Sequence, residues 1–350
     1  MHEAAPHPGQ AQARPTHRAL TVMALLLGMF LAAMEMTVVS TAMPTVAGEL
    51  GGLHLYAWAF AGYMLTATVS VPIWGKLADL RGRKGVMLVG LVLFLVGSAA
   101  CGFAPDMRAL IAARAVQGLG AGAIQPTTLT IVGDLFDVRT RGRMQGLFGG
   151  VWGLAGLVGP LVGGALVHFL SWRWVFWINL PFGVASALVL ASAYHERPER
   201  HAHRLDLGGA ALLSVAVVAA LLAARSPATG RVAAPVAVAA LLLFLWVERR
   251  AVEPLLPLDL FRQRVIAVAS GAGALVGAAM IGMVTFVPLW LQAVVGASPT
   301  QAGGAIAPMA VGWPDLQRAL RPAAPAHRRK TQAVRKSAAI PPRRIPGDNS

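Results

Sequence analysis

Charge is scarce in this sequence. Only 13% of its 350 residues are Asp, Glu, Lys or Arg, against roughly 25% in an ordinary soluble domain, which excludes water as the solvent for most of its surface. Cysteine is nearly absent. Cys101 stands alone inside an apolar run, so no internal disulfide can form, and no Cys/His cluster suggests a metal site. Acidic residues are half as many as basic ones, 15 against 30. A formal charge of +15 would suit a nucleic-acid binder. The basic residues instead fall in short connections between apolar runs, with nine more crowded into the last 36 positions. That placement argues against nucleic acid as a partner.

What fills the sequence is hydrocarbon. Hydrophobic residues make up 56% of the chain and come in long blocks, among them Leu20 to Val39, Val86 to Ala104 and Val265 to Val295. Each approaches or exceeds the ~20 residues needed to cross a bilayer core. Inside lipid every backbone N–H and C=O must be paired internally, which leaves helix or closed barrel. A barrel would show short alternating segments. These runs do not alternate, so the chain is expected to be an all-α polytopic membrane protein whose principal partner is the lipid bilayer.

Spans are predicted at 19–43, 55–76, 85–104, 107–132, 144–168, 172–194, 207–224, 232–247 and 265–293, with a tenth starting near 300. The first is too long, and followed by too many others, to be a signal peptide. The connections alternate in charge. One set, with the N-terminal arm, holds Arg14, Arg18, Lys76, Arg81, Arg83, Lys84, Arg139, Arg141, Arg143, Arg197, Arg200, Arg204, Arg249, Arg250, Arg262 and Arg264. The other holds Arg108, Arg173, Arg225 and Arg231. Sixteen against four places the N-terminus in the cytoplasm of a multi-pass cell-membrane protein. After Trp313-Pro314 the chain turns Arg/Pro/Ala-rich, and Arg318 and Arg321 fall where a tenth span should face hydrocarbon. This segment reads as a truncated or frame-shifted end. The alternative is a basic tail touching anionic lipid.

One acidic residue lies inside a span, Glu35, and one basic residue lies well inside a span, Arg114. Charges at membrane depth are functional candidates. Glu35 lies sixteen residues past Ala19, about 24 Å from one face, and Arg114 lies six past Arg108, about 9 Å from the other. In a core about 30 Å thick both fall near one depth, so the two can pair if the first and fourth spans are neighbours. Glu35 then either binds and releases a proton or belongs to a static buried ion pair. The loop Gly75 to Lys84 carries Asp79 between flanking glycines, beside Arg83 and Lys84, and forms a candidate latch between helices. Gly149, Gly153, Gly156, Gly159, Gly163 and Gly164 run through the fifth span with Pro160 among them, suiting close helix approach or a hinge. No intramembrane His cluster, Ser/His pair or carboxylate pair supports an enzyme.

These segments resemble the major facilitator superfamily, in its fourteen-span drug:proton antiporter branch. Gly75 to Lys84 is similar to the signature between helices two and three, G-x-L-a-D-r-x-G-r-K. Leu110 to Gly118 resembles the helix-four motif with its membrane-embedded Arg, and Gly153 to Gly164 the helix-five antiporter motif. Met34 to Pro44 resembles the helix-one motif, with Glu35 where Asp is usual, and Ser171 to Pro181 the opening of helix six. The resemblance covers about residues 18 to 313.

The resemblance implies a disordered cytoplasmic arm (1–18), a six-helix N-terminal bundle (19–194), a cytoplasmic loop (195–206), two inserted helices (207–247), the start of a C-terminal bundle (265–313) and a basic disordered tail (314–350). It implies proton-coupled efflux of small amphipathic molecules by alternating access, driven by the proton gradient with no cofactor. Arg114 would assist proton handling, Gly159-Pro160 would shape the bundle interface and Asp79 would latch the bundles. Trp58, Tyr63, Gln125, Trp152 and Asn179 are the candidate cavity positions. The family's C-terminal bundle has six helices, and this chain supplies one and the start of a second. The alternative is therefore a non-transporting membrane product or interaction partner derived from such a transporter.

Overall fold

The apolar runs do fold as helices, and most continue past the bounds that hydropathy suggests. The computed structural model describes residues 16–196, 207–225, 227–251 and 258–305. The N-terminal arm before Thr16, most of the loop over 195–206, the remainder of the tenth span and the basic tail over 314–350 lie outside them. In order, the helices are α1 (Arg18–Leu50), α2 (Tyr56–Arg81), α3 (Arg83–Gly102), α4 (Met107–Leu135), α5 (Val138–Phe169), α6 (Trp174–Trp177), α7 (Asn179–Ala193), α8 (Leu207–Arg225), α9 (Pro227–Glu248) and α10 (Arg264–Ala293). A last helical stretch covers 299–305. The described residues contain no strand.

The helix ends have local causes. Gly51 and Gly52 take positive φ and end α1. Asp106 caps α4 by accepting from Ala109 N at 2.8 Å, and Asp137 caps α5 by accepting from Thr140 N at 3.3 Å. That cap starts α5 six residues before the predicted span. Pro44 does not stop α1, because Val46 and Ala47 beyond it are buried and packing holds the helix on. The predicted span 172–194 is interrupted at Ile178. Pro181 lacks the N–H that the Trp177 carbonyl would need, and the turn loosens there.

The connection where α2 meets α3 carries Arg81, Arg83 and Lys84, and gives the bundle a basic end opposite a far end. Six of the helical segments are long and apolar enough to cross a membrane by length and composition. α2 and α4 are not among them, since α4 carries Arg114, Gln117, Gln125 and several glycines and threonines. α4 is instead wedged between α2 and α3, which bury the face carrying Arg114 and Gln117, while Val116, Leu119 and Leu129 stay exposed on the other. A side chain at Gly118 or Gly122 would strike the carbonyls of Tyr63 and Ala67 on α2, and one at Gly120 would strike Phe94 on α3. α1 packs on α5 and α7, with Gly159 and Gly163 of α5 against Thr37 and Thr41 of α1. Ser186 of α7 donates to Ala24 O of α1 at 2.8 Å.

Two apolar cores fill the space among α1–α7. Val38, Met43, Val46, Phe60, Leu110, Trp172 and Phe176 lie in the far half. Leu25, Met87, Leu91, Phe94, Ile131 and Leu190 lie in the basic half. α8 and α9 form a hairpin packed chiefly on itself, touching the bundle through α2. Val232, Val238 and Leu242 are exposed on it, as suits helices covered by lipid.

Candidate functional site

A buried polar cluster sits where the two cores meet. α1 supplies Glu35, α2 Ala59 and Tyr63, α3 Ser98 and Cys101, α4 Arg114 and Gln117, and α7 Asn179. The side chains of Glu35 and Arg114 are each 1% exposed. Arg114 Nη1 bonds Glu35 Oε1 directly. The other carboxylate oxygen accepts from Asn179 Nδ2 at 2.7 Å. The same amide nitrogen lies 3.0 Å from Ser98 Oγ, which donates to Phe176 O at 2.8 Å. That carbonyl belongs to the interrupted turn, so the break at Ile178 also places Asn179.

Arg114 is held from the other side too. Its Nε donates to Ala59 O at 3.2 Å, its Nη1 lies 3.2 Å from Gln117 Oε1, and its guanidinium carbon stands 4.4 Å over the Tyr63 ring. Cys101 Sγ approaches Gln117 Oε1 at 3.7 Å. Gln117 Nε2 is buried and has no hydrogen-bond partner among the described residues. Two opposite charges removed from water need such a shell, since desolvating each costs several kcal/mol. Chemically the cluster offers one carboxylate that can take a proton and one guanidinium that cannot give one up. Among the described residues no three His, Cys, Asp or Glu side chains gather as a metal site.

Of the candidate cavity positions, Tyr63 and Asn179 belong to this cluster. Trp58 is half-buried, while Gln125 and Trp152 lie on exposed faces of α4 and α5. None of these three bonds to the ion pair. Gly156, Gly159, Pro160, Gly163 and Gly164 form the buried side of α5. Gly159 and Gly163 face α1, and Gly164 faces Thr300. α5 runs unbroken through Pro160.

The latch candidates gather at the basic end. Arg83 pairs with Asp134 at the end of α4 and stands 4.0 Å from Asp79. Glu196, just past α7, accepts from the backbone N–H groups of Arg83 and Lys84 at 2.7 and 3.1 Å and so caps α3. Lys84 Nζ donates to Ala191 O at 2.7 Å. Gly82 has φ +96°, and a Cβ there would lie 2.7 Å from the Glu196 carboxylate. Sequence reasoning missed Asp134 and Glu196, which lie 51 and 113 positions from Arg83. It also missed Ser98 and Gln117. Gln117 had a signal, standing one helical turn from Arg114.

Apolar helices long enough to cross a bilayer, joined inside by a buried Arg–carboxylate pair, mark the chain as a polytopic membrane protein. The chain belongs to the Major Facilitator Superfamily, whose family model matches residues 25–314. It is 37% identical over 310 residues to the multidrug transporter protein MdtP of Bacillus subtilis (strain 168), an alignment covering 86% of this chain and 57% of MdtP. It is 39% identical over 299 residues to multidrug resistance protein 3 of the same organism, covering 83% of this chain and 58% of that protein. The chain thus spans a little over half the length of these relatives. Its fold is similar to that of a bacterial homologue of the human lysosomal transporter Spinster, with TM-score 0.54 and 17% identity over 86% of this chain and 60% of that one. That last likeness concerns the fold alone.

Proposed function

We propose that this chain serves proton-coupled efflux of small amphipathic molecules across the cell membrane by alternating access, as part of the drug:proton antiporter branch of the family. The observation that carries the reading is the Glu35–Arg114 pair, enclosed by Asn179, Gln117 and Tyr63 between two apolar cores. An ion pair that served packing alone could be replaced by apolar side chains at little cost. A carboxylate kept beside a permanent cation can instead switch the local charge by one unit when it takes a proton.

Protonation removes the charge that holds Arg114 toward α1. Arg114 then keeps the Ala59 carbonyl of α2 and the Gln117 side chain of its own helix, while Asn179 still reaches the neutral carboxyl. The proton therefore shifts the balance between α1 and α7 on one side and α2 and α4 on the other. Rigid helices with two arrangements of this kind are what alternating access requires. The N-terminus is cytoplasmic by the sixteen-to-four distribution of basic residues, which puts the far end outside. The proton gradient supplies the energy, and no cofactor is needed.

The test is export of a fluorescent amphipathic dye from energised cells or proteoliposomes carrying the chain. Export that collapses with a protonophore and is abolished by Glu35→Gln is the expected result. Export at the unmodified level in Glu35→Gln removes Glu35 from the mechanism, and no export in any variant removes the transport reading.

A further inference from the structure

Thr41 and Thr285 occupy matching places in two different helices. Each stands three positions before a helix proline, in Thr41-Ala42-Met43-Pro44 of α1 and Thr285-Phe286-Val287-Pro288 of α10. The proline removes the donor for the carbonyl four residues back, Ser40 or Val284, and crowds the turn that also holds the threonine carbonyl, whose second lone pair can take a donor from outside the helix. In both helices a side chain from across the seam takes the threonine carbonyl. Gln292 Nε2 of α10 donates to Thr41 O at 3.1 Å, and Tyr56 Oη of α2 donates to Thr285 O at 3.0 Å. The two bonds run in opposite directions across one seam.

They also lie at one end of it. The buried residues of α10 are Val284, Thr285 and Pro288. Earlier in the helix Val265 and Leu275 are 80% and 76% exposed, and Gly271, Gly273, Gly277 and Gly282 face open space. Gly142, Gly146, Gly149, Gly150 and Gly153 in the basic half of α5 are open as well. At the far end, by contrast, Gly303 abuts the Pro160 carbonyl and Gly164 abuts Thr300. Both donors also stand close to the buried cluster. Tyr56 is three residues before Ala59, whose carbonyl receives Arg114, and the carbonyl taken by Gln292 is six residues beyond Glu35.

We propose that Tyr56 and Gln292 are positioning residues of a reciprocal lock on the two proline-flanked threonine carbonyls. The lock holds the far end of the seam shut in this state of the chain and must release for substrate to leave by that end. What passes through the seam rests on the transport reading above. The lock itself rests on these contacts.

Val284 is 5% exposed and lies in the seam beside Thr285. In the full chain, a Val284→Cys variant treated in detergent with a bulky hydrophilic maleimide reports seam opening without any transport. The parent chain gives the background from Cys101, which is itself fully buried. Tyr56→Phe keeps the ring packed on Phe60 and removes only the hydroxyl, and Gln292→Leu keeps side-chain bulk. Each is expected to raise the labelling rate about fivefold, the factor that one hydrogen bond of ordinary net strength supplies. Unchanged labelling in both Tyr56→Phe and Gln292→Leu overturns the lock. Export unaffected by Glu35→Gln would sink the proton-coupling reading while leaving a positive labelling result in place, so the two fail separately.

Discussion

Asn179 grips Glu35 on the carboxylate oxygen that Arg114 does not bond, at 2.7 Å. These two residues are 144 positions apart, and the bond ties α7 to α1 at the level where the apolar cores meet. Asn179 is only 2% exposed, so no water stands ready to replace it. Asn179→Ala should lower the thermal stability of the detergent-purified chain by about 1.5–3 kcal/mol, the range for a hydrogen bond to a charged group. Asn179→Asp should cost more, because it sets a second carboxyl against the first. Thermal unfolding followed by tryptophan fluorescence checks both.

Removing one member of the ion pair should cost far more than removing both. Arg114→Met leaves a buried carboxylate without its counter-charge, a loss of about 3–5 kcal/mol unless the group takes a proton. The double variant Glu35→Met with Arg114→Met should recover most of that stability, since apolar side chains of similar volume commonly replace buried pairs at little cost. It should still export no dye. A double variant as unstable as Arg114→Met alone would mean that the pair holds the bundle together in a way apolar packing cannot.

Backbone shape at the basic end makes a separate prediction. Gly82 sits at φ +96° against the Glu196 carboxylate. Gly82→Ala therefore meets both a disfavoured backbone region and an occupied space, at a cost of about 1–3 kcal/mol. Glu196→Gln should be milder, since the amide oxygen still accepts from one backbone N–H. Limited proteolysis of the α2–α3 connection should be fastest in Gly82→Ala and intermediate in Glu196→Gln.

Helix spacing should matter to the site although no polar group is touched. A Cβ at Gly97 of α3 would come within 2.5 Å of Gln117 Cα, so Gly97→Ala must push α4 away. Since Gln117 and Arg114 ride on α4, dye export should fall sharply in Gly97→Ala. Gly153→Ala on α5, with nothing within 4 Å of its Cβ position, should leave the bundle's thermal stability unchanged. Measuring both quantities for both variants distinguishes displacement of the site from general loosening.

The parts of this arrangement that depend on distance along a helix are legible in the sequence. Spans follow from apolar runs, and counting residues from the nearest loop gives depth, which is why residue counting alone sets Glu35 and Arg114 at one level. Rotation about the helix axis and the order of neighbours around the bundle are not written locally. So the family resemblance offers Asn179 as a candidate cavity position but not as the partner of Glu35, and Ser98 carries no mark distinguishing it from a packing serine. The interruption at Ile178 escapes a hydropathy reading because hydropathy runs smoothly across it, although Pro181 gives the cause in plain sight. Asp134 and Glu196 sit at helix ends, where a carboxylate has many ordinary roles, and only the fold brings them to Arg83 and the start of α3.

On the proposed function, Glu35 itself takes and gives up the proton. Infrared difference spectra of the lipid-reconstituted chain, recorded across a pH change, report a carboxyl group directly through its protonated C=O stretch and need no transport. The account predicts a protonated-carboxyl band from a dry environment that vanishes in Glu35→Gln and changes position in Asn179→Ala. The same band persisting unaltered in Glu35→Gln would contradict it.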